Sequence, residues 1–502
     1  MRRSSRWSCP AKARRPRRAR DVEVFRQLAA QGAMIERLSS DSRRCAPGVA
    51  FFAYPGELAD GRAHIADALR RGASAVLWEE TGFAWRADWR VPNLAVRGLK
   101  ERAGALAHDF YGRPSEALWT CGVTGTNGKT SCSQWIAAAL AAHGVKSAVI
   151  GTLGSGFPGA LAEGGNTTPD ALELHRMMKD FLSQGARAVS MEVSSHGLAQ
   201  GRVNGVAFDC ALFTNLSHDH LDYHGSMEAY AEAKAKLFDT PGLTTAVLNV
   251  DDVVGVRIAQ RLEGRGVRII GYSLSGARNG YEFVAATRVA PGAMRIESSW
   301  GRARATLAQL GRFNLANALG VLGCLVAYGV PFEKAASLLA QLPAVPGRME
   351  QVGDRPLAVI DYAHTPDALE KVLQALRPVA AERGGKLAAV FGAGGDRDPA
   401  KRPLMGAVVA RLADRIVVTS DNPRSEDPLK IIAQIAAGID KPHEVEPDRM
   451  SAITLALGEA EPADVVLIAG KGHENYQEVA GKRLPFSDVA AARAALARRG
   501  HT

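Results

Sequence analysis

Residues 125–131 read Gly-Thr-Asn-Gly-Lys-Thr-Ser, and their flanks leave few folds open. An apolar run over 119–123 leads into the segment, and a run suited to a helix over 129–142 leads out. A strand that turns through glycines into a helix gathers turn amides and the positive helix end around an anion, which makes a phosphate cradle. Gly125 and Gly128 let the backbone approach phosphates, Lys129 would reach the terminal ones, and Thr130 would hold Mg2+. The common spacing of such loops asks for a glycine five residues before Gly128, where Val123 stands, so the loop is a variant. Alone it implies nucleoside-triphosphate binding and no particular reaction.

The alternation continues along the chain. In a first block, strands are expected over 49–54 and 75–78 and a helix over 64–72, with Pro55-Gly56 and Asp60-Gly61 as turn signals. In a second block, strands are expected over 147–150, 188–193, 208–213 and 245–249, with a helix over 171–184. Residues 281–308 alternate in a β-rich manner, expected as an antiparallel insertion before an apolar helix over 314–329. Pro-Ala-Val-Pro-Gly at 343–347 is the clearest linker, and strands are expected beyond it over 357–361, 387–391, 415–419 and 465–469. The fold class expected is therefore α/β in three domains, 21–114, 115–345 and 346–502, the central one a P-loop doubly wound sheet. Ligands of such sheets sit at the carboxyl ends of strands. Polar motifs fall there in the third block: Asp361-Tyr-Ala-His364, the glycine-rich 392–397, Asp421-Asn-Pro-Arg424 and Gly470-Lys-Gly-His-Glu474.

The net charge of +10 suggests nucleic acid until it is located. Nine basic residues and no acid lie in residues 1–20, so the rest carries +1 and no specific nucleic-acid partner is expected. The basic run reads as a disordered tail. No secretory signal and no apolar run of about 20 residues is present, so membrane insertion is not expected, and a cytoplasmic monomer is. Six scattered cysteines without a C-x-x-C pair read as buried small side chains, not as a disulfide framework or zinc site.

Two central segments suggest metal. Glu192 ends an apolar run just before Ser-Ser-His196, and residues 215–224 pack His218, His220 and His224 with two aspartates. Glu192 suits Mg2+, whereas several histidines together would suit zinc; His218 and His224 read as loop hydrogen-bonders. G-T-N-G-K-T, M-E-V-S-S-H-G-L, T-N-L-x-x-D-H-L-D-Y-H-G, D-Y-A-H-T-P-D-A-L-E, G-G-D-R-D and A-G-K-G-H-E follow one another in order. Together they resemble the Mur ligase family of ATP-dependent amide ligases in peptidoglycan precursor synthesis. D-N-P-R at 421–424 is similar to the branch that adds meso-diaminopimelate.

The resemblance implies a nucleotide-sugar-binding first domain, a central ATP domain and a Rossmann-like last domain. It implies ATP on Gly125, Thr126, Asn127, Gly128, Lys129, Thr130 and Ser131, with Asn314, Arg348, Asp361 and His364. Two Mg2+ ions would be held by Thr130, Glu192, His220 and Lys234 as its carbamate (N6-carboxylysine). Lys129, Glu192, His220 and Lys234 would be catalytic. From the residues alone Lys234 is a solvated helix lysine, with Lys236 two positions on. The UDP-sugar peptide, UDP-N-acetylmuramoyl-L-alanyl-D-glutamate, would meet Ser40, Ser42, Pro55, Gly56, Glu57, Asn166, Thr167, Thr168, Ser194, Gln200 and Arg202. Diaminopimelate would meet Arg397, Asp421, Asn422, Pro423, Arg424, Gly470 and Glu474. A guanidinium fork such as Arg424 pairs with the distal carboxylate that lysine lacks. Arg397 and Glu474 also fit simple ion pairs between loops. A lysine-adding relative and a folylpolyglutamate synthetase share the fold; Arg424 opposes the first, and Asn166-Thr-Thr168 with the muramyl-type first block the second. A nucleotide-dependent switch with a polyanion-binding tail is opposed by the near-neutral body.

Overall fold

A computed structural model describes residues 19–499 except 58, 277–279 and 291. The basic segment thus lies outside the described residues but for its last two, which begin the helix Ala19–Ala30. Cys9 also lies outside them.

The apolar runs of the first block form a four-stranded parallel sheet in the order Arg37–Ser39, Val49–Ala53, Ala75–Glu79 and Asn93–Val96. Its two middle strands are buried at every residue because helices cover both faces. Leu28, Leu99 and Leu106 pack on one side, Ile65 and Ala68 on the other.

The central sheet has eleven strands. From one edge these are Gly301–Thr306, Ala293–Ser298, Glu282–Ala290, Arg268–Ser273, Thr245–Asn249, Cys210–Phe213, Trp119–Thr124, Ala188–Glu192, Ser147–Gly151, Gly154–Phe157 and Ala160–Ala162. The middle strands run parallel, and two antiparallel strands close each edge. The β-rich 281–308 segment is therefore one margin of this sheet and not an insertion, its first strand pairing in parallel with Arg268–Ser273. From Trp119–Thr124 the chain passes to Ser147–Gly151, comes back to Ala188–Glu192, then crosses to Cys210–Phe213 on the opposite side. That reversal opens a crevice at the carboxyl end of Trp119–Thr124, where the glycine loop begins. The helices Lys129–Ala142 and Arg312–Tyr328 bury Trp135, Ile136, Leu319 and Leu322 on one face. Gly329, at φ 108°, ends the second of them in a left-handed cap.

The third sheet orders Glu350–Gln351, Leu357–Asp361, Val465–Ala469, Leu387–Phe391, Arg415–Val418 and Glu444–Val445, parallel except at the first edge. Its four expected strands are all present. The linker at 343–347 is seated on both neighbours. Trp135 Nε1 donates to the Pro343 carbonyl at 2.9 Å, and a Cβ on Gly347 would lie 2.1 Å from the His473 amide nitrogen. Among the described residues no helix is long and apolar enough to cross a membrane.

Candidate active site

The glycine loop has no room for other residues at its turns. A Cβ on Gly125 would lie 1.9 Å from Thr214 Oγ1, and one on Gly128, at φ 88°, 2.6 Å from Asn317 Oδ1. Lys129 Nζ donates to the Gly125 and Thr126 carbonyls at 2.9 and 2.8 Å, so the ammonium lies over the loop. Burial lowers its pKa, opposed by the charges of Glu192 and Asp219. Asn127 donates to Asp367 Oδ2 at 3.2 Å, tying the loop to the third sheet's helix Pro366–Arg383.

Glu192 is 1% exposed at the end of its strand. Its Oε1 accepts from the Thr152 amide at 2.7 Å, and its Oε2 from the hydroxyls of Thr130 at 3.0 Å and Thr152 at 3.2 Å. Lys234 overturns its reading as a solvated lysine. It is 1% exposed on the helix Met227–Ala235, donating to the Gly125 carbonyl at 2.8 Å and lying 4.3 Å over the Tyr230 ring, while Lys236 is exposed. Burial, with the nearby Lys129 charge, drives its pKa well below the ordinary ammonium range. His220 sits at φ 55°, its Nε2 3.3 Å from Asp219 Oδ2 and its ring 4.8 Å from that of His196. Burial holds its pKa down to about 3, leaving a neutral imidazole with a lone pair for a cation. His224 shares a hydrogen bond with Ser195 Oγ at 3.0 Å, as expected of it, but from the short helix Leu221–His224 and not from a loop.

Lys129, Glu192, His220 and Lys234 line a cavity of about 1230 Å3 between the central and third sheets. Arg348 reaches it from beyond the linker, 4.3 Å over the Tyr362 ring and donating to Thr130 Oγ1 at 3.1 Å. Asn314 and His364 line it too, bonded to the carbonyls of Leu310 and Tyr362, each at 2.7 Å. Asp361 lines it, but its two oxygens already accept from the amides of Met349 and Ala363, each at 2.8 Å. That carboxylate shapes the chain behind the cavity. Phe313, Ala375, Pro378 and Val379 form an apolar end suited to a flat base.

Towards the first sheet, Asn166, Thr167, Thr168, Ser194 and Arg202 line the same cavity. Thr168 Oγ1 donates to the Glu192 carbonyl at 3.0 Å, Ser194 caps the helix Ser195–Ala199, and Arg202 donates to the Thr168 carbonyl at 2.9 Å and to Gln200 at 2.8 Å. Gln200 in turn donates to Glu57 at 2.7 Å. Ser40, Ser42, Pro55, Gly56, Glu57 and Gln200 do not line the cavity; Ser42 Oγ instead donates to Asp67 at 2.9 Å.

A second cavity of about 170 Å3 adjoins the first, and Asp219, His220, Tyr362, His364 and Arg397 line both. Asp421, Asn422, Arg424, Gly470 and Glu474 line it as well, whereas Pro423 does not. Arg424 sits at φ 54°, its guanidinium donating to the Gly395 carbonyl at 2.6 Å and lying 3.6 Å from Glu478. Asn422 donates to Glu474 at 2.8 Å and accepts from Lys471 at 3.0 Å, and Lys471 also pairs with Glu474 at 2.8 Å. Glu474 therefore does form an ion pair, within its own loop. Behind both loops Arg449 and Asp488 are a pair with no exposure, and Arg449 also donates to the carbonyls of Ser420 and Ala469, each preceding a lining residue.

Residues 34–111 match the domain described as Mur ligase family, catalytic domain. Residues 123–325 match the Mur ligase middle domain and 347–472 the Mur ligase glutamate ligase domain. A curated relative from Janthinobacterium sp. (strain Marseille) is 51% identical over 495 residues, covering 95% of this chain and 97% of its own. The chain belongs to the Mur ligase family. That relative is named UDP-N-acetylmuramoyl-L-alanyl-D-glutamate--2,6-diaminopimelate ligase. A solved structure of the same description is 38% identical with TM-score 0.65, covering 93% of this chain and 96% of that one. MurF ligase from Thermotoga maritima, solved with ADP, shares the fold at 18% identity and TM-score 0.65, covering 93% of this chain and 99% of that one.

Several residues of this Mur ligase site escaped sequence reasoning. Thr152 sits in a stretch with no motif of its own, and only folding brings it to Glu192; Tyr230 stands four residues before Lys234 on one helix, a spacing that could have paired them. Asp219 and Lys471 lay inside quoted motifs, where alternating charge was a signal that could have singled them out.

Proposed function

We propose that the chain joins meso-diaminopimelate to the D-glutamate of UDP-N-acetylmuramoyl-L-alanyl-D-glutamate, at the expense of ATP, in peptidoglycan precursor synthesis. The observation that carries this is the adjoining pair of cavities: a phosphate loop and carboxylate face one, a guanidinium and paired carboxylates face the other, and five residues line both. The names of close relatives point the same way.

The γ-phosphoryl group of ATP passes to the side-chain carboxylate of D-glutamate, giving an acyl phosphate and ADP. Lys129 and the loop amides hold the phosphates where negative charge spreads. Thr130, Glu192, His220 and Lys234 as its carbamate would hold two Mg2+ ions; hydroxyl, carboxylate and carbamate oxygens suit a hard cation better than zinc. Bound there, the ions would offset the charge of the phosphates. Burial pushes Lys234 towards its unprotonated amine, the form that adds CO2. The diaminopimelate amine, having lost a proton, then adds to the acyl carbon, and phosphate leaves to give the amide. Arg424 pairs with the distal carboxylate, and Asn422 and Glu474 accept from its neighbouring ammonium. The seams of three domains fall at 114/115 and 345/346, and the chain acts as a cytoplasmic monomer.

Mass spectrometry of the product tests this. A tripeptide heavier by one diaminopimelate less water, formed only with ATP present, is expected. ATP consumption without that mass would overturn the assignment.

A further inference from the structure

Three lysines among the described residues are buried: Lys234, Lys401 and Lys471. Lys234 has the Gly125 carbonyl, and Lys471 has Asn422 and Glu474. Lys401 is 8% exposed and makes no hydrogen bond or ion pair among the described residues, although it lines the 170 Å3 cavity. A desolvated ammonium with no partner is costly, so a position that keeps one has an anion to meet there. Its helix, Lys401–Leu412, is held firmly. The adjacent Arg402, 1% exposed, pairs with both oxygens of Glu426 at 2.8 Å and donates to the Gly394 carbonyl at 3.2 Å.

The charges around Lys401 locate it within the cavity. The carboxylates of Asp219, Asp421 and Asp398 and the guanidinium of Arg397 act on it, and all of them line the same cavity. Asp219 belongs to the junction where the two cavities share their walls. Arg424 is bonded to the Gly395 carbonyl and lies close to Glu478, in the antiparallel pair of strands Tyr476–Val479 and Lys482–Pro485. Among the described residues three cations line the cavity; Arg397 is exposed and bonded to the Asp396 carbonyl at 3.0 Å, which leaves Lys401 and Arg424 to face the two carboxylates of a ligand.

Resting on the function proposed above, we propose that Lys401 binds the carboxylate beside the attacking amine of diaminopimelate, while Arg424 takes the distal one. Lys401 thereby turns the amine towards the acyl phosphate and adds to selection of the amino acid.

The test compares meso-diaminopimelate with D-lysine, which keeps the distal centre and lacks the carboxylate beside the attacking amine. Wild type, Lys401→Met and Lys401→Arg are assayed with ATP and the UDP-sugar dipeptide, reading D-lysine as substrate or competitor, with melting temperatures to confirm folding. In Lys401→Met the KM for meso-diaminopimelate rises about 10- to 100-fold, the range of a charged hydrogen bond. Recognition of D-lysine and the KM for ATP stay unchanged, and Lys401→Arg recovers part of the loss. An equal loss for both amino acids, no loss, or a matching rise in the KM for ATP would overturn the proposal. A wild-type chain inert to meso-diaminopimelate would sink the underlying function reading instead.

Discussion

Lys234 carries the heaviest chemical demand of any single residue here. Burial against Gly125 and Tyr230 pushes this lysine towards the free amine, and a free amine in a cation-lined cleft gains by becoming an anionic carbamate. With 13C-bicarbonate, NMR should detect one slowly exchanging carbamate signal in wild type. Lys236→Met should keep it, because that side chain is exposed, and Lys234→Met should lose it together with turnover. A signal that survives in Lys234→Met would remove carbamylation from the account. Sequence reading reached this residue only through family resemblance. Its own neighbours, Ala-Glu-Ala-Lys-Ala-Lys, describe a solvated helix, since burial comes from Tyr230 and the glycine loop folding over it. Arg424 was also reached through resemblance, that of D-N-P-R, with the fork-like fit of a guanidinium to a carboxylate as its chemical reason.

At the scale of elements, buried pairs join the layers and make specific demands. His175, on the helix Ala171–Ser183, has no exposure, shares a hydrogen bond with the Asn204 carbonyl at 3.0 Å and lies 5.0 Å from the His108 ring of the helix Leu99–Phe110. Burial, reinforced by His108, lowers its pKa to about 3. Between that value and the ordinary ~6.5 the unfolded chain binds a proton that the folded one refuses. Stability is therefore full above about pH 6.5 and falls as pH drops towards 3, by about 1.4 kcal/mol per pH unit for this one proton. Urea denaturation from pH 7 to 4 should show a shallower fall in His175→Leu; an unchanged slope would contradict the assignment. In the third sheet, Arg449→Met should cost about 3–5 kcal/mol by stranding Asp488, and Arg449→Met with Asp488→Leu should recover most of it. Chemical denaturation of both variants checks this. Most strands in these layers were legible because apolar runs buried on both faces announce themselves. Gly154–Phe157 and Ala160–Ala162 were not, both being short with no long apolar run to mark them, the first half glycine and the second at the sheet's edge.

The whole molecule sets its reacting groups on separate bodies of chain: the phosphate loop on the central sheet, Arg424 on the third, and residues 343–347 between them. Substrates that bridge both cavities should draw these bodies together and exclude water from the acyl phosphate. Small-angle scattering should therefore record a smaller radius of gyration with a non-hydrolysable ATP analogue plus UDP-sugar dipeptide. A profile that superimposes on that of the free protein would count against closure. The central claim is tested most directly by phosphate release from ATP, Mg2+ and UDP-N-acetylmuramoyl-L-alanyl-D-glutamate, with meso-diaminopimelate and L-lysine added in parallel. Release stoichiometric with amide formation is expected for meso-diaminopimelate alone; equal release with L-lysine, or none with either, would contradict it.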